Sequence, residues 1–425
     1  MRILVLTPFY APDLGPSASL YEMLCEELVR LGHEVAVICA VPHYPSGRVP
    51  AEFRGRWAWR EHRNGVEVTR VWVPSLNRAR LGLRLFAFLC YQVLAARAGL
   101  RVRCDVVIAS SPGFEIALPL FVLAFARRIP FLYSVHEIYP EVGVASGIFR
   151  SRALIRLLEW LERLCCEWAA RVRVLSDGYR RMLEAKGVPS AKLAVIGDWV
   201  DPDFVRPLPR RNSFSSRWGL EHGFVAMYAG NLGPTQGLEC VVDAAGLLAG
   251  ESSIRFVLVG DGTARAELEE RVRAKGLTNV AFVPFQARAI LPQVLASANV
   301  SLLTLKKGMG TDSVPSKLYS ILASGRPLVA AVDEGTDIAR LVNEAGCGLR
   351  VAPEDPRALR DAILELCRDA EKCRWMGENG RDYVMICGSK TWAAERFHEL
   401  LRSALPSRKE PAQEEVPDRR PILHG

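Results

Sequence analysis

The stretch Ile3-Leu4-Val5-Leu6-Thr7, with the Pro-, Gly- and Ser-rich loop from Pro8 to Ser19 behind it, decides the fold. Beyond the loop, Leu20, Leu24, Leu28 and Leu31 recur at helical spacing. Gly32-His33 ends that helix, and Val35-Ala36-Val37-Ile38 is a second apolar strand. Strand, loop, helix and strand in this order form a βαβ unit, which implies a parallel sheet covered on both faces. Further strands are expected at Val66–Val73, Val106–Ala109, Phe131–Val135, Val172–Leu175 and Leu193–Ile196, with a helix over Ala153–Ala170. Pro202, Pro207 and Pro209 mark a linker. The alternation then restarts, with strands at Phe224–Ala229, Ile254–Val259, Val280–Val283, Val300–Leu305 and Pro327–Ala331. The reading is an α/β chain of two doubly wound domains, 1–197 and 212–388, joined by a linker at 198–211. A helix at 389–405 can cross back to the first domain, and 406–425, charged and Pro-rich, reads as a disordered tail. Such sheets bind ligands at the carboxyl ends of their strands, so a cleft is expected between the domains.

The composition agrees. Of 425 residues, 49% are hydrophobic and 24% charged, enough to bury a large core and too apolar for a disordered chain. The net charge is +8 and unevenly placed. Residues 1–200 carry 26 Lys/Arg against 18 Asp/Glu, and residues 201–425 carry 29 of each. Arg54 to Arg103 holds eleven Arg and two Glu, which suggests one basic surface rather than a chain-wide affinity for polyanions. Within it Phe86 and Phe88 accompany Arg78, Arg80, Arg84, Arg97, Arg101 and Arg103. Apolar length with Arg at both ends fits an anionic membrane interface, and a core helix with solvated arginines fits the same pattern. Leu85 to Ala96 is too short to span a bilayer, which takes about 20 residues. The interleaved recognition elements of nucleic-acid binders are missing from this segment. Eleven cysteines, an odd number with no Cys-x-x-Cys pair, read as reduced thiols of a cytosolic protein. No basic segment and cleavage site precede Ile3, so no secretory signal is expected.

Four segments can carry chemistry. The loop Gly15-Pro16-Ser17 lies between a strand and a helix, where backbone N–H groups can face a phosphate; an ordinary turn reads the same way. Gly230-Asn231-Leu232-Gly233 with Gln236-Gly237 follows the first strand of the second domain and permits close approach of a diphosphate. Pro315-Ser316-Lys317 opens a helix and sets a cation beside its free N–H groups, and Gly325-Arg326-Pro327 ends that helix. His136-Glu137 follows a strand and can point into the cleft. No His or carboxylate cluster has metal-ligand spacing.

Together with Val259-Gly260-Asp261-Gly262 and the Tyr139-Pro140-Glu141 stretch, these motifs and their order resemble glycosyltransferase family 4, and within it the WbuB-like fucosamine transferase branch. The resemblance covers about residues 1–405. It implies the GT-B architecture, two Rossmann-like domains facing across a cleft, and a retaining transfer without a metal. The implied donor is a nucleotide diphosphate sugar, UDP-linked by family habit with GDP as the alternative, and no cofactor. The implied acceptor is a polyprenyl-diphosphate-linked or other glycan in cell-surface polysaccharide (O-antigen-type) synthesis, with the protein peripheral on the inner face of the cytoplasmic membrane. By the same resemblance His136, Glu137 and Lys317 are catalytic. Gly15, Pro16, Gly230, Asn231, Gly233, Gln236, Gly237, Pro315, Ser316 and Arg326 serve the donor phosphates, and Pro284 and Phe285 lie near the base. Many relatives have Arg and Lys where this chain has Asn231 and Gln236, but the named branch commonly carries the uncharged pair. Two Glu eight positions apart are usual where this chain has Asp312 and Ser320, so a carboxylate grip on the ribose is lost. Two other functions stay open: a nucleotide-sugar epimerase of the same fold, and a non-catalytic, membrane-bound partner protein.

Overall fold

The computed structural model describes residues 1–15, 17–44, 47–75, 81–145, 149–309 and 315–405, apart from the side chains of Leu81, Arg84, Leu85 and Ala145. Pro16, Asp312, Arg78, Arg80, the Arg84 side chain and the tail 406–425 lie outside the described residues.

The first domain is built on eight strands: β1 (Arg2–Leu6), β2 (Glu34–Ala40), β3 (Ala58–Arg63), β4 (Val66–Val71), β5 (Val106–Ser110), β6 (Phe131–Ser134), β7 (Arg171–Val174) and β8 (Leu193–Val195). Their order in the sheet is β3-β4-β2-β1-β5-β6-β7-β8, parallel except for β3 against β4. The second domain has β9 (Phe224–Ala229), β10 (Ile254–Val259), β11 (Val280–Val283), β12 (Val300–Thr304), β13 (Leu328–Ala331) and β14 (Gly348–Val351), in the order β11-β10-β9-β12-β13-β14. In each sheet the winding reverses beside its first strand, between β1 and β5 and between β9 and β12. Loops diverge at such switch points and leave a crevice at the carboxyl ends.

Strand alternation sorts the first core into two faces. Leu4, Leu6, Ile38 and Val107 pack under the helices Leu81–Gly99 and Gly113–Phe121 and the end of Arg152–Trp168. Ile3, Val5, Val35 and Val37 pack under Ala18–Arg30 on the other side. The final helix, Lys390–Ala404, lies on Ala18–Arg30, and its Phe397 and Leu401 join Tyr21, Leu24 and Leu28 in that core. It therefore completes the first domain from the far end of the chain.

The chain passes between the domains at 197–200 and returns at 388–390. The crossings are bonded to each other, Val200 N to Gly388 O at 3.0 Å and Lys390 N to Val200 O at 2.9 Å. Tyr319 of the second domain sits against both. A Cβ on Gly197 would lie 2.2 Å from its hydroxyl, and one on Gly388 would lie 2.9 Å from its ring.

The basic segment is not one open surface. Arg70 is fully buried, bonded to Glu61 at 2.7 Å and to the carbonyls of Tyr10 and Ala11. Arg63 is paired with Glu22 at 2.8 Å. Phe88, expected at the membrane surface, is 6% exposed, because it falls on the buried side of its helix with Tyr91 and Ala95. Phe86 is 52% exposed.

Candidate active site

A cleft of about 1070 Å³ lies where the carboxyl ends of the two sheets face each other. Leu20, Met23, Trp199 and Phe204 line it from the first domain and the crossing, and Gly230, Asn231, Phe285, Ser316, Lys317 and Ser320 from the second. Arg288 reaches across to Glu22 at 3.5 Å, with its guanidinium 5.8 Å from the Phe204 ring centre.

Lys317 is the first residue of the helix Lys317–Ala323. Its Nζ donates to the Tyr228 hydroxyl at 3.0 Å and to Gln236 Oε1 at 2.8 Å, and lies 4.2 Å from the Tyr228 ring centre. Every one of these partners is neutral. Burial without a carboxylate pulls the ammonium down to about 7. Among the described residues no carboxylate partners it, so the amine is placed to hold a proton beside a negative group brought in by a ligand. Gln236 supplies an acceptor that aims Lys317, and its backbone is fixed by Thr304 Oγ1 at 2.6 Å. The 230–233 loop sits low because Gly260 lets it. A Cβ at Gly260 would lie 1.9 Å from the Gly230 carbonyl oxygen. Gly237 turns with φ at 60°, next to the backbone of Leu305.

His136, expected to point into the cleft, is not among the residues that line it. Its Nε2 is 3.0 Å from the Tyr21 hydroxyl and 3.4 Å from Ser134 Oγ, and its Nδ1 is 3.4 Å from Arg173 Nη1. Arg173 can only donate, so Nδ1 accepts and Nε2 carries the proton. Burial first, and Arg173 second, hold the imidazole well below its ordinary range, so it is neutral. Arg173 is itself fully buried. It donates to Ile196 O at 2.7 Å, Gly197 O at 2.9 Å and Asp198 Oδ1 at 3.0 Å, with its guanidinium 5.3 and 5.8 Å from the ring centres of Trp199 and Phe397.

The structure does not bring all the expected residues together. Arg326 precedes β13 and therefore sits at the end of the sheet away from the cleft, bonded to Leu208 O at 3.0 Å. Gly15 is buried. Its N–H donates to Asp13 Oδ1 at 3.2 Å, and a Cβ there would lie 2.2 Å from the Phe9 ring, so it closes a loop rather than offering a donor to phosphate. Glu137 points opposite to His136, as consecutive residues of an extended chain do, and lines a separate cavity of about 270 Å³ with Glu162 and Lys186. Gly233 and Gly237 are buried loop glycines, and Pro284 is exposed beside Phe285. Pro315 is partly buried just ahead of Ser316.

Sequence reasoning missed Tyr228, Arg173 and Asp13. Asp13 accepts from the backbone of Gly15, His43 and Tyr44, tying the loops after β1 and β2 together. Its signal was an Asp two residues before a loop Gly, the pattern of an Asx turn. Arg173's signal was a charge inside an apolar strand.

Two doubly wound domains facing across a cleft define the GT-B class. Among solved structures, HepE of Anabaena in complex with UDP superposes with a TM-score of 0.70 at 18% identity, over 95% of this chain and all of that one. Residues 16–199 match the glycosyl transferase 4-like domain, and residues 223–369 match glycosyl transferases group 1. The probable glycosyltransferase WbjE of Pseudomonas aeruginosa is 30% identical over 305 residues, 69% of this chain and 74% of that protein. The putative colanic acid biosynthesis glycosyl transferase WcaI of Escherichia coli K12 is 29% identical over 384 residues, 86% of this chain and 92% of its own. The chain belongs to this family of glycosyltransferases with a 4-like and a group 1 domain, and is a glycosyltransferase.

Proposed function

We propose that the chain moves a sugar, with retention and without a metal, from a nucleotide diphosphate donor to a lipid-carried glycan at the inner face of the cytoplasmic membrane. The observation that carries this reading is Lys317, an amine lining the cleft whose hydrogen-bond partners among the described residues are neutral. A departing diphosphate is the negative group it fits, and a fixed cation in a sheltered site stabilises developing charge strongly. In the reaction the bond from the sugar's anomeric carbon to the diphosphate oxygen breaks. The acceptor hydroxyl forms its bond to that carbon from the same face, and its proton passes to a donor phosphate oxygen. Gly230, Asn231 and Ser316 would meet the phosphates with Lys317. His136 would position the donor sugar through Tyr21 and its helix Ala18–Arg30, whose Leu20 and Met23 line the cleft. Phe285 would lie against the base, and Ser320 would leave the ribose with one hydrogen bond. UDP is the favoured nucleotide, in keeping with the UDP bound by HepE, and GDP is the alternative. An N-acetylated deoxyhexosamine, as in the WbuB-like branch, is the favoured sugar.

The test is a thermal-shift panel of UDP, GDP and their sugars, followed by turnover on a polyprenyl-diphosphate-linked glycan. A nucleotide that binds only the folded state raises Tm. Lys317→Ala is expected to keep the fold and lose at least about 100-fold in turnover at saturating donor. Unchanged turnover in the folded variant sinks the assignment, and donor consumption without acceptor would point to an epimerase.

A further inference from the structure

We propose that the outer face of the helix layer Leu81–Gly99, Gly113–Phe121 and Arg152–Trp168 is a docking surface for an anionic lipid bilayer. The choice of partner rests on the lipid-carried acceptor proposed above, whereas the surface is read from the side chains themselves. The three helices lie side by side on one face of the first sheet, and each also turns apolar residues to solvent. On the first, Phe86, Leu89 and Val93 are exposed at positions i, i+3 and i+7, opposite the buried Phe88, Tyr91 and Ala95. On the second, Leu118 is exposed, and Phe125 follows just beyond it at 60% exposure. On the third, Leu157, Trp160 and Trp168 are exposed, while Leu158, Cys165 and Cys166 face the core.

Contacts join the three helices along this face. The Phe125 and Trp168 rings stand edge to face with centres 4.4 Å apart, and Gln92 of the first helix bonds Phe114 O and Leu118 N of the second, both at 3.0 Å. Exposed large apolar side chains are ordinary when scattered, but their concentration on one face of three adjacent helices points to an interaction surface. At 1.5 Å per residue the longest helix gives the face a length of about 28 Å.

Its border chooses the occupant. Arg97, Arg101, Arg128, Arg152, Arg156 and Arg163 are all exposed around it. The exposed carboxylates of the third helix are Glu159 and Glu167, and Glu167 is already bonded to Arg163 at 2.7 Å. A second copy of the chain would bring arginines against arginines, whereas lipid phosphates would neutralise them. Apolar and aromatic residues at acyl depth with guanidinium groups reaching to the headgroups is the arrangement of a monotopic surface. Among the described residues no helix is long and apolar enough to cross a membrane, so the contact is with one leaflet. All three helices start at the carboxyl ends of the strands, which sets the cleft at one end of the docked face. The basic segment 54–103 thus contributes one helix of three.

Flotation with vesicles of neutral phosphatidylcholine, and of phosphatidylcholine with 30% phosphatidylglycerol, tests the surface on the full chain without donor or acceptor. The intact protein is expected to float with the anionic vesicles and at least tenfold less with the neutral ones. The triple variant Phe125→Ser, Leu157→Ser, Trp160→Ser is expected to lose binding at least tenfold while keeping its Tm and its nucleotide-induced shift. The variant Arg97→Ser, Arg128→Ser, Arg156→Ser should lose the preference for anionic lipid. Failure of the intact protein to float overturns the proposal, as does unchanged flotation of the triple variant. A concentration-dependent dimer in light scattering that the triple variant abolishes, with no vesicle binding, overturns it in favour of a second copy. Flotation with no response to any nucleotide keeps the surface and counts against the donor reading alone.

Discussion

Lys317 owes its chemistry to residues distant in sequence. Its place at a helix start was legible from Pro315-Ser316-Lys317. Its lowered affinity for a proton was not, because that comes from burial in a site that Tyr228 and Gln236, brought in from β9 and the loop after it, help to build. An ammonium at about 7 is mostly neutral at pH 8, and a diphosphate beside it favours the charged form. Nucleotide binding at pH 8 is therefore expected to take up close to one proton. Calorimetry in two buffers of different ionisation heat would read it, and buffer-independent heats would refute it. His33 carries a second prediction. It is bonded to His398 at 2.7 Å and lies 3.3 Å from the N-terminal amine. Burial, then the positive N-terminus and His398, pull it down to about 4. The unfolded chain holds its proton below about 6.5, so stability is lost as pH falls from 6.5 toward 4. Tm should fall less steeply over that range in His33→Asn. The misplaced residues have a common cause. Gly15, Glu137 and Arg326 sit in segments of the right kind, but Asp13, strand alternation and the polarity of β13 decide where each one faces.

Elements with a clean apolar period were legible, and those without were not. β1, β2, β5, β9, β10 and β12 fall within a residue or two of expectation, because buried parallel strands read as apolar runs. β3 was missed because Ala58–Arg63 is a polar edge strand, where charge guards against unwanted pairing. β14 was missed because it starts at Gly348, where a Cβ would lie 2.0 Å from Leu328 O. The helices Gly113–Phe121 and Ala370–Cys387 went unread as well, the first carrying an internal Pro119 and the second two glycines. Among the elements, Lys390–Ala404 matters most for stability. Phe397→Ala empties a fully buried site between it and Trp199, and is expected to cost about 3–5 kcal/mol in chemical denaturation. At the crossings, Gly197→Ala should destabilise by forcing its Cβ onto the Tyr319 hydroxyl, and adding Tyr319→Phe should recover part of the loss. Additive losses in that double-mutant cycle would show that the contact does not matter.

For the whole molecule, the two-domain plan and the cleft were legible from the restart of strand and helix after Pro202. The spread of charge was legible only as a sum. Arg70 is fully buried and Arg63, though partly exposed, is paired with Glu22, so part of the excess counted in residues 54–103 is withdrawn or neutralised. The bonded crossings also predict how the molecule responds to a cut. A single tryptic nick after Arg206, Arg210 or Arg211 should leave both fragments co-eluting in native gel filtration, and separation without denaturant would contradict the described packing. The position of Lys390–Ala404 bears, too, on the order in which the chain is made. The first domain leaves the ribosome early, yet the helix that covers Tyr21, Leu24 and Leu28 is the last of the described elements to emerge. At about 5–20 residues per second, roughly 200 further residues keep that apolar surface open for about 10–40 s. For this face covering waits on the end of synthesis, and a transcript that stops short of codon 390 would yield a first domain with an uncovered face.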